Sequence, residues 1–396
     1  MNIQSTPSSE RLHIALVGRR NSGKSSLMNA LCNSDVALVS DVPGTTTDSV
    51  SKAMELRGLG ACVLIDTPGY DDDGVLGEMR VGRTVKAIEK IDLALLLCDS
   101  DDLQMEKTWC KLLKDKGVGI VAVVNKADTL DDIQGRVQRV KDEVGVTPVV
   151  VSAYAKTGLD DLRLALISAL PADFQQDSIT GNLVAANDVV MLVMPQDEQA
   201  PKGRLIMPQV QTIRELLDKR AIIVSCTPDN MEQSLKALAA PPKLIITDSQ
   251  VFKTVYALKP TESQLTSFSI LMAGYKGDIN QFIEGAKDID RLTPSSRVLI
   301  AEACAHAPAS EDIGRVKIPR LLRKKVGEGL TIDFVSGADF PQDLTQYDLI
   351  IHCGACMFNK KFVLNRLEKS ATLCVPMTNY GVAIAHINGI LGKIVY

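Results

Sequence analysis

The sequence is poor in aromatic residues and in net charge, and each shortage excludes a class of function. Phe, Trp and Tyr make up 4% of the 396 residues, which leaves little surface for stacking nucleic-acid bases. The formal net charge of −4 provides no basic surface for non-specific binding of a phosphate backbone. No apolar run reaches the roughly 18 residues that a membrane-spanning helix needs. We therefore expect neither a nucleic-acid partner nor a membrane.

An export signal and a disulfide framework are also missing. The first ten residues are polar and lack the apolar core of a signal peptide. The nine cysteines are an odd number and are scattered along the chain, which is typical of reduced thiols. We therefore expect a cytoplasmic protein. The length suffices for two or three domains, each with its own core.

What the sequence does contain is a phosphate-binding loop between an apolar strand and a helix. The stretch from Gly18 to Ser25 reads Gly-Arg-Arg-Asn-Ser-Gly-Lys-Ser and directly follows the apolar run Leu12–Val17. Such a loop closes its backbone N–H groups around phosphate oxygens. We expect Lys24 to reach the terminal phosphates and the Ser25 hydroxyl to hold magnesium. The predicted nucleotide-binding residues of this loop are Gly18, Asn21, Ser22, Gly23, Lys24, Ser25 and Ser26.

Two motifs further along the chain predict that the nucleotide is GTP. Asn125-Lys126-Ala127-Asp128 follows a predicted strand, and Asp128 can accept hydrogen bonds from the N1 and N2 donors of guanine. Adenine lacks the exocyclic amine at that position. Ser152 and Ala153 follow the next strand, where a backbone N–H near Ala153 would meet the guanine oxygen. An isolated Asn-Lys-x-Asp is more often a solvated turn, but downstream of a phosphate loop this spacing favours guanine.

Two switch motifs complete the set. We expect Asp66 of Asp66-Thr-Pro-Gly69 to hold magnesium through water, and the Gly69 N–H to touch the γ-phosphate. The segment Pro43–Asp48 supplies a threonine that closes over the metal. Five elements in this order resemble the translation-factor-like GTPases, and in detail the TrmE–Era branch, with its Gly-Arg-x-Asn loop and Gly-Thr-Thr switch. By that resemblance Thr46 is the magnesium ligand.

The same resemblance implies potassium-stimulated hydrolysis. Tyr70 stands where Ras-like enzymes carry the glutamine that orients water. In TrmE-like GTPases the loop asparagine helps to bind potassium, and Asn21 matches it. Ser40, the Val42 carbonyl and Thr45 are its plausible companions. Asp71, Asp72 and Asp73 could position water, although solvent exposure is commoner for such a stretch. We expect slow hydrolysis by Asn21, Lys24, Thr46 and Gly69.

The patterning predicts an α/β chain, in which a P-loop GTPase domain is followed by two smaller α/β domains with mostly parallel sheets. The predicted boundaries are 1–172, 183–270 and 271–396, with a polar linker over 171–182. The pattern also predicts single strands over Leu56–Asp66 and Thr372–Met377. The middle domain shows no catalytic groups, which leaves self-association or a rigid spacer as its role.

Cysteine and histidine residues gather at the ends of two predicted strands in the last third of the chain. Val298–Glu302 runs into Cys-Ala-His, and Tyr347–Ile351 ends at His-Cys-Gly-Ala-Cys. If these strands are parallel neighbours, both groups lie at the same edge of a sheet. The candidate metal ligands are Cys304, His306, His352, Cys353 and Cys356.

The spacing leaves two metal centres open. A zinc site and an iron–sulfur cluster held by three thiolates with a weak fourth ligand fit about equally well. Buried thiols without a ligand are the expectation for Cys62, Cys98 and Cys374, which lie in apolar predicted strands.

The complete order of motifs resembles the HydF family of [FeFe]-hydrogenase maturation GTPases. The resemblance covers the chain after its first ten residues, and it includes Thr47, where TrmE has arginine. It implies a [4Fe–4S] cluster on Cys304, Cys353 and Cys356. The fourth position is open to His352, His306, water or a bridging ligand from the cargo; alternatively, the histidines stabilise the site from behind.

The resemblance also implies partners. A HydF-like protein forms a homodimer through its middle domain and receives a transient diiron precursor made with two radical-SAM maturases. It then delivers that precursor to apo-[FeFe]-hydrogenase. The alternative is a ribosome- or tRNA-associated GTPase of the TrmE–Era type with a structural zinc domain. The low charge and few aromatic residues disfavour it.

Overall fold

The computed structural model of the chain describes residues 6–34, 37–43, 51–69, 88–170, 178–196, 205–303, 312–337, 339–355 and 358–396. The chain divides into two compact units, Met1–Gln175 and Gln176–Tyr396. Within the described ranges, none of the helices has both the length and the apolar character that crossing a bilayer requires.

The first unit is built on a seven-stranded sheet in the order β2-β3-β4-β1-β5-β6-β7. Strands β2 to β4 are antiparallel neighbours and the remaining pairs are parallel. The strands are β1 (Leu12–Val17), β2 (Ala37–Pro43), β3 (Ser51–Leu56), β4 (Gly60–Asp66), β5 (Leu93–Leu97), β6 (Gly119–Val124) and β7 (Val149–Val150). The described helices are α1 (Lys24–Cys32), α2 (Gln104–Asp115), α3 (Ile133–Val144) and α4 (Leu159–Ser168).

The apolar run that preceded the phosphate-loop motif forms the central strand β1. It pairs with β4 on one side and β5 on the other, and its side chains from Ile14 to Val17 are fully buried. A continuous apolar run is what a parallel strand covered on both faces requires. The phosphate loop therefore leaves the sheet at the carboxyl end of its central strand.

The prediction of one strand over Leu56–Asp66 was wrong, because the chain turns back on itself there. Gly58 and Gly60 have φ of +88° and +79°, in the left-handed region that favours glycine. They join β3 to β4 as a hairpin, in which Leu56 pairs with Gly60. Strands β2 and β3 were not predicted.

The second unit contains two four-stranded sheets in which every described pairing is parallel, as predicted for this part of the chain. Their orders are β11-β10-β8-β9 and β13-β12-β14-β15. The first sheet has β8 (Val189–Val193), β9 (Ile222–Cys226), β10 (Leu244–Thr247) and β11 (Gln264–Ser267). The second has β12 (Arg297–Glu302), β13 (Thr331–Ser336), β14 (Leu349–His352) and β15 (Met377–Asn379).

The helices of this unit lie between its strands, except the last helix, which follows β15. They are α5 (Met207–Asp218), α6 (Met231–Lys236), α7 (Phe252–Leu258), α8 (Phe268–Lys276), α9 (Ile279–Lys287), α10 (Ile318–Val326), α11 (Lys360–Thr372) and α12 (Tyr380–Ile387). The predicted strand over Thr372–Met377 is wrong, because α11 continues to Thr372 and β15 begins only at Met377. Short apolar runs do not distinguish a helix end from a strand.

One hydrophobic core contains residues of both sheets, among them Met191 and Ile245 from the first and Ile300 and Ile350 from the second. The predicted boundary at residue 270 falls inside helix α8. The division of this unit into two domains at that residue therefore stays a prediction.

Candidate functional site

The phosphate loop has the backbone shape that its glycines predicted. Gly23, the residue before α1, has φ of +89°, and a Cβ at this position would lie 2.3 Å from the side-chain nitrogen of Asn125. A Cβ on Gly18 would lie 3.0 Å from the Cβ of Leu97. Both positions therefore require glycine, the first for conformation and space, the second for space alone.

Lys24 lies buried at the start of α1 and folds back over the loop. Its ammonium donates hydrogen bonds to the carbonyl oxygens of Gly18 at 2.9 Å and of Arg19 at 2.7 Å. The side chain thus places its charge beside the loop and the amino end of a helix, where phosphate oxygens are stabilised. The contact of Lys24 with the terminal phosphates stays a prediction.

Ser25 and Asp66 meet at the expected magnesium site. The Ser25 hydroxyl donates to one carboxylate oxygen of Asp66, at the end of β4. The second carboxylate oxygen is buried and makes no hydrogen bond with any described residue. A hydroxyl beside a carboxylate oxygen that lacks a donor suits a hard divalent cation, so this donor set fits magnesium. Gly69 is the last described residue before the second predicted switch segment, and its contact with the γ-phosphate stays a prediction.

The structure does not describe the remaining residues of the two predicted switches. Thr45 and Thr46, predicted for the potassium and magnesium sites, lie outside the described residues, as do Thr47 and the segment 70–73. Asn21 has φ of +62° and an exposed side chain. The potassium site around Asn21 stays a prediction.

Asn125 links the guanine motif to the phosphate loop. Its side-chain nitrogen donates to the Ser22 carbonyl and its oxygen accepts from the Ala153 N–H, both at 3.2 Å. The side chain is only 2% exposed. One amide therefore connects three motifs that are far apart in the sequence.

The other predicted guanine residues lie around Asn125. The Ser152 hydroxyl donates to the Asp128 carboxylate, and the Ala155 N–H donates to the Ser152 oxygen at 2.9 Å. The Lys126 ammonium pairs with Asp99 at 3.0 Å. The contact of the Ala153 N–H with a guanine oxygen stays a prediction, since here that N–H donates to Asn125.

An ion pair that no sequence pattern predicted anchors the loop on its other side. The Arg19 guanidinium pairs with Glu106 at 2.8 Å, and the Glu106 side chain is completely buried on α2. Arg19 also donates to the Asp102 carbonyl at 2.6 Å. Its partners are more than eighty residues away in the chain, and no local pattern predicts such a pair.

The second candidate site lies at the carboxyl ends of β12 and β14, which are parallel neighbours as the sequence analysis required. The Cys353 N–H donates to the Ala301 carbonyl at 2.9 Å, and the Cys353 sulfur accepts the Ala303 N–H at 3.0 Å. Cys353 therefore contacts the residue that directly precedes Cys304. Cys304, His306 and Cys356 lie outside the described residues.

His352 is engaged inside the protein. Its Nδ1 bonds with the Cys353 carbonyl at 2.6 Å, and Arg366 donates to its Nε2 at 3.0 Å. The ring is fully buried, and this burial, followed by the nearby Arg366 charge, lowers the pKa of His352 to about 3. The ring is thus neutral with its proton on Nδ1. These contacts favour support of the site from behind over direct ligation of a metal.

Arg366 is itself held firmly. It donates to the Gly337 carbonyl at 2.6 Å and lies over the rings of Phe362 and Phe340 at 4.1 and 4.7 Å. Such stacking of a guanidinium on aromatic faces is favourable where water is excluded. Arg366 therefore links α11 to the end of β14.

Asn379 and Tyr380 lie at the same edge. Asn379 caps α12 by accepting the Val382 N–H at 3.0 Å, as an ordinary turn residue does. Among the described residues, the buried Tyr380 hydroxyl has no hydrogen-bond partner. Burial, then the Cys353 sulfur, raises the pKa of Tyr380.

These features fit a thiolate-bound cluster. Backbone N–H groups that donate to ligating sulfurs are among the contacts that tune such clusters, and Cys353 already accepts one. Within the part of the chain that the structure describes, no three metal-binding side chains gather in one place. Two of the three proposed cysteines lie outside that part.

The other cysteines differ from one another. Cys62 and Cys98 are fully buried, and burial raises the pKa of each thiol to about 12, as suits unliganded core residues. The expectation for Cys374 was wrong. It is exposed and lies in the turn between α11 and β15, at the end of the sheet opposite to Cys353.

Family models match three segments of the chain. Residues 179–277 match "Hydrogen maturase F dimerization domain", and residues 280–396 match "Hydrogen maturase F tetramerization domain". Together these two segments are more than half of the chain. Residues 13–126 match "50S ribosome-binding GTPase".

Similar proteins share less of the chain. The tRNA modification GTPase MnmE of Chromobacterium violaceum is 37% identical over 41% of this chain and 35% of its own length. GTPase Der of a Sulfurihydrogenibium species is 36% identical over 38% of this chain and 36% of its own. The chain thus spans about a third of the length of these relatives. The G domain of Thermotoga maritima FeoB is 22% identical, with a TM-score of 0.31, over 40% of this chain and 98% of that domain.

Proposed function

This chain belongs to the hydrogen maturase F family, and we propose that it is a GTP-switched carrier for assembly of the [FeFe]-hydrogenase active site. It holds a diiron precursor at a [4Fe–4S] site and transfers it to apo-[FeFe]-hydrogenase. The precursor comes from two radical-SAM maturases. The observation that carries the proposal is the meeting of the β12 and β14 ends, where Cys353 contacts the residue before Cys304.

The proposed ligands are Cys304, Cys353 and Cys356. Three thiolates bind three irons of a [4Fe–4S] cluster and leave the fourth iron for a weaker ligand, which supplies an exchangeable position. A site that must release its cargo needs such a position. Because both ring nitrogens of His352 are hydrogen-bonded, His352 orients the turn, while His306 remains the proposed imidazole ligand. Reduced thiols are needed for this chemistry, which supports a cytoplasmic protein.

The GTPase unit acts as the switch. Lys24 and the Ser25–Asp66 pair provide the charge and the oxygen donors for a nucleotide with magnesium. We propose slow hydrolysis that potassium accelerates through Asn21. Turnover should therefore fall several-fold when sodium replaces potassium at constant ionic strength. Equal turnover in the two salts would refute the potassium site.

A homodimer fits the surface of the second unit. Strand β9 forms an edge of its sheet, and its Ile222 is 52% exposed. Val210 and Leu217 of the adjacent helix α5 are 44% and 56% exposed. Exposed apolar side chains next to a strand edge favour association. We propose that this face joins two copies of the chain.

Anaerobic reconstitution of the full chain with ferrous iron and sulfide tests the cluster. The protein should turn brown and absorb near 400 nm, as thiolate-bound clusters do. Cys304→Ser, Cys353→Ser and Cys356→Ser should each abolish the band. The matched control is Cys374→Ser, which changes an exposed thiol at the opposite end of the same sheet and should leave the band unchanged. Stoichiometric zinc without the band would instead favour the ribosome- or tRNA-associated alternative.

A further inference from the structure

Lys276 is a buried lysine on helix α8, and its side chain reaches backbone carbonyls that follow Cys353 in the chain. It is the last residue of α8, which follows β11, and it is 2% exposed. Its ammonium donates to the Phe358 carbonyl at 2.7 Å and to the Ala355 carbonyl at 3.3 Å. These two acceptors stand on either side of residues 356 and 357 in the chain.

A lysine in this position has a cost that its surroundings must offset. Burying an ammonium is unfavourable unless hydrogen bonds and other charge compensate it. The two carbonyls provide part of that compensation. Ala355 has φ of +47°, in the left-handed region that is unfavourable for a residue other than glycine. The contact with Lys276 therefore helps to hold Ala355 in a conformation that its own sequence does not favour.

The charge of Lys276 suits what the turn would bind. A cluster on three thiolates is negatively charged, and one-electron reduction increases that charge. In a water-poor interior a nearby positive charge stabilises the more negative state. Net charge around an iron–sulfur cluster is one of the factors that set its reduction potential.

We propose that Lys276 is a positioning residue of the iron–sulfur site, which holds the Ala355 and Phe358 carbonyls on either side of Cys356 in the chain and offsets the charge of the cluster. This inference rests on the proposed function. It also connects two segments, because Lys276 belongs to the part that matches a dimerization domain and the turn belongs to the part that matches a tetramerization domain. The cluster turn is thus held from the domain that we propose to form the dimer.

The test compares three substitutions in the full chain, reconstituted with ferrous iron and sulfide. Lys276→Met keeps the length of the side chain and removes its charge and donors. Lys276→Gln keeps a donor without the charge, and serves if the methionine variant does not fold. Lys276→Arg keeps the charge. The matched control is Lys259→Met, since the Lys259 ammonium also donates to two carbonyls, those of Pro260 and Ser263, in a turn without cysteine.

Three measurements are made on each protein. Without a cluster, hydrogen exchange of the amides from 353 to 358 should be faster in Lys276→Met than in wild type. With the cluster, a chelator should bleach Lys276→Met about 10- to 100-fold faster, the usual effect of losing a residue that supports metal ligands. In a redox titration followed by electron paramagnetic resonance, Lys276→Met and Lys276→Gln should shift to more negative potential. Lys276→Arg and Lys259→Met should not shift.

The outcomes separate the two proposals. A wild-type chain that binds no cluster overturns the proposed function and this inference together. A wild-type chain that binds the cluster, with unchanged potential and unchanged bleaching in both neutral variants, overturns the inference alone. The same shift in Lys276→Arg as in the neutral variants would also overturn it, because charge would then not be the cause.

Discussion

Asn125→Ala should disconnect the phosphate loop from the guanine-binding turn. The substitution removes two hydrogen bonds, one to the Ser22 carbonyl and one from the Ala153 N–H, each 3.2 Å long. Both partners are backbone groups around a side chain that is 2% exposed, so they would be left without a partner. Each buried group left unpaired costs about 1–3 kcal/mol, which gives about 2–6 kcal/mol for the pair.

The cost should be visible in two assays. If this free energy is lost only from the nucleotide-bound state, the affinity for GTP falls by about 30-fold or more, because each factor of ten corresponds to about 1.4 kcal/mol. Urea unfolding can be followed by the fluorescence of Trp109, which is the single tryptophan and lies buried in the same unit.

A matched control exists on α1. Asn29 accepts a hydrogen bond from Lys52 at 2.7 Å on the surface, so Asn29→Ala should change both quantities by less than about 0.5 kcal/mol. An Asn125→Ala variant with GTP affinity within threefold of wild type and an unchanged urea midpoint would refute the bridging role of Asn125.

Three further predictions follow from single side chains. Asp128→Asn should weaken the affinity for GTP by about 100-fold and strengthen that for xanthosine triphosphate, because an amide can donate to the oxygen that replaces the guanine amine. Competition binding measures both affinities, and an unchanged preference for GTP would contradict the assignment. Burial, then the neighbouring Lys90 and Arg11, lowers the pKa of His13 to about 4, although Asp92 lies 3.8 Å from its Nδ1. An unfolded histidine titrates near 6.5, so the free energy of unfolding is highest above that pH and declines as the pH falls toward 4. About 2 kcal/mol should be lost between pH 7 and pH 5. His13→Gln should flatten this pH dependence in urea unfolding followed by Trp109 fluorescence. Tyr380→Phe removes a buried hydroxyl that has no partner among the described residues, so it should raise the free energy of unfolding of the cluster-free chain by about 1 kcal/mol in urea. A decrease of that size would show that the hydroxyl has a partner.

The nucleotide site was predictable because its geometry is encoded locally. A strand, a glycine turn and a helix in sequence place Gly23, Lys24 and Ser25 without information from elsewhere. Parallel strands bring the ends of β1, β4 and β6 to one edge, so Asp66 and Asn125 arrive there by topology. The meeting of the β12 and β14 ends was predictable for the same reason.

Contacts between distant side chains were not predictable. The Arg19–Glu106 pair, the Arg366–His352 bond and the Lys276 contacts join residues that no periodicity relates. Burial decided these cases, since a charged or polar side chain inside the protein takes whichever partner the packing brings to it. The hairpin of β3 and β4 was missed because its turn is only a few residues long and interrupts a continuous apolar pattern.

Transfer of the diiron unit tests the central claim most directly. The full chain, loaded anaerobically with iron, sulfide and the diiron precursor, is mixed with apo-[FeFe]-hydrogenase, and hydrogen evolution is recorded. The account predicts activation by the loaded wild-type chain, none by Cys353→Ser, reduced transfer by Lys24→Ala, and full transfer by Cys374→Ser. Equal activation by the wild-type and Cys353→Ser chains would contradict it.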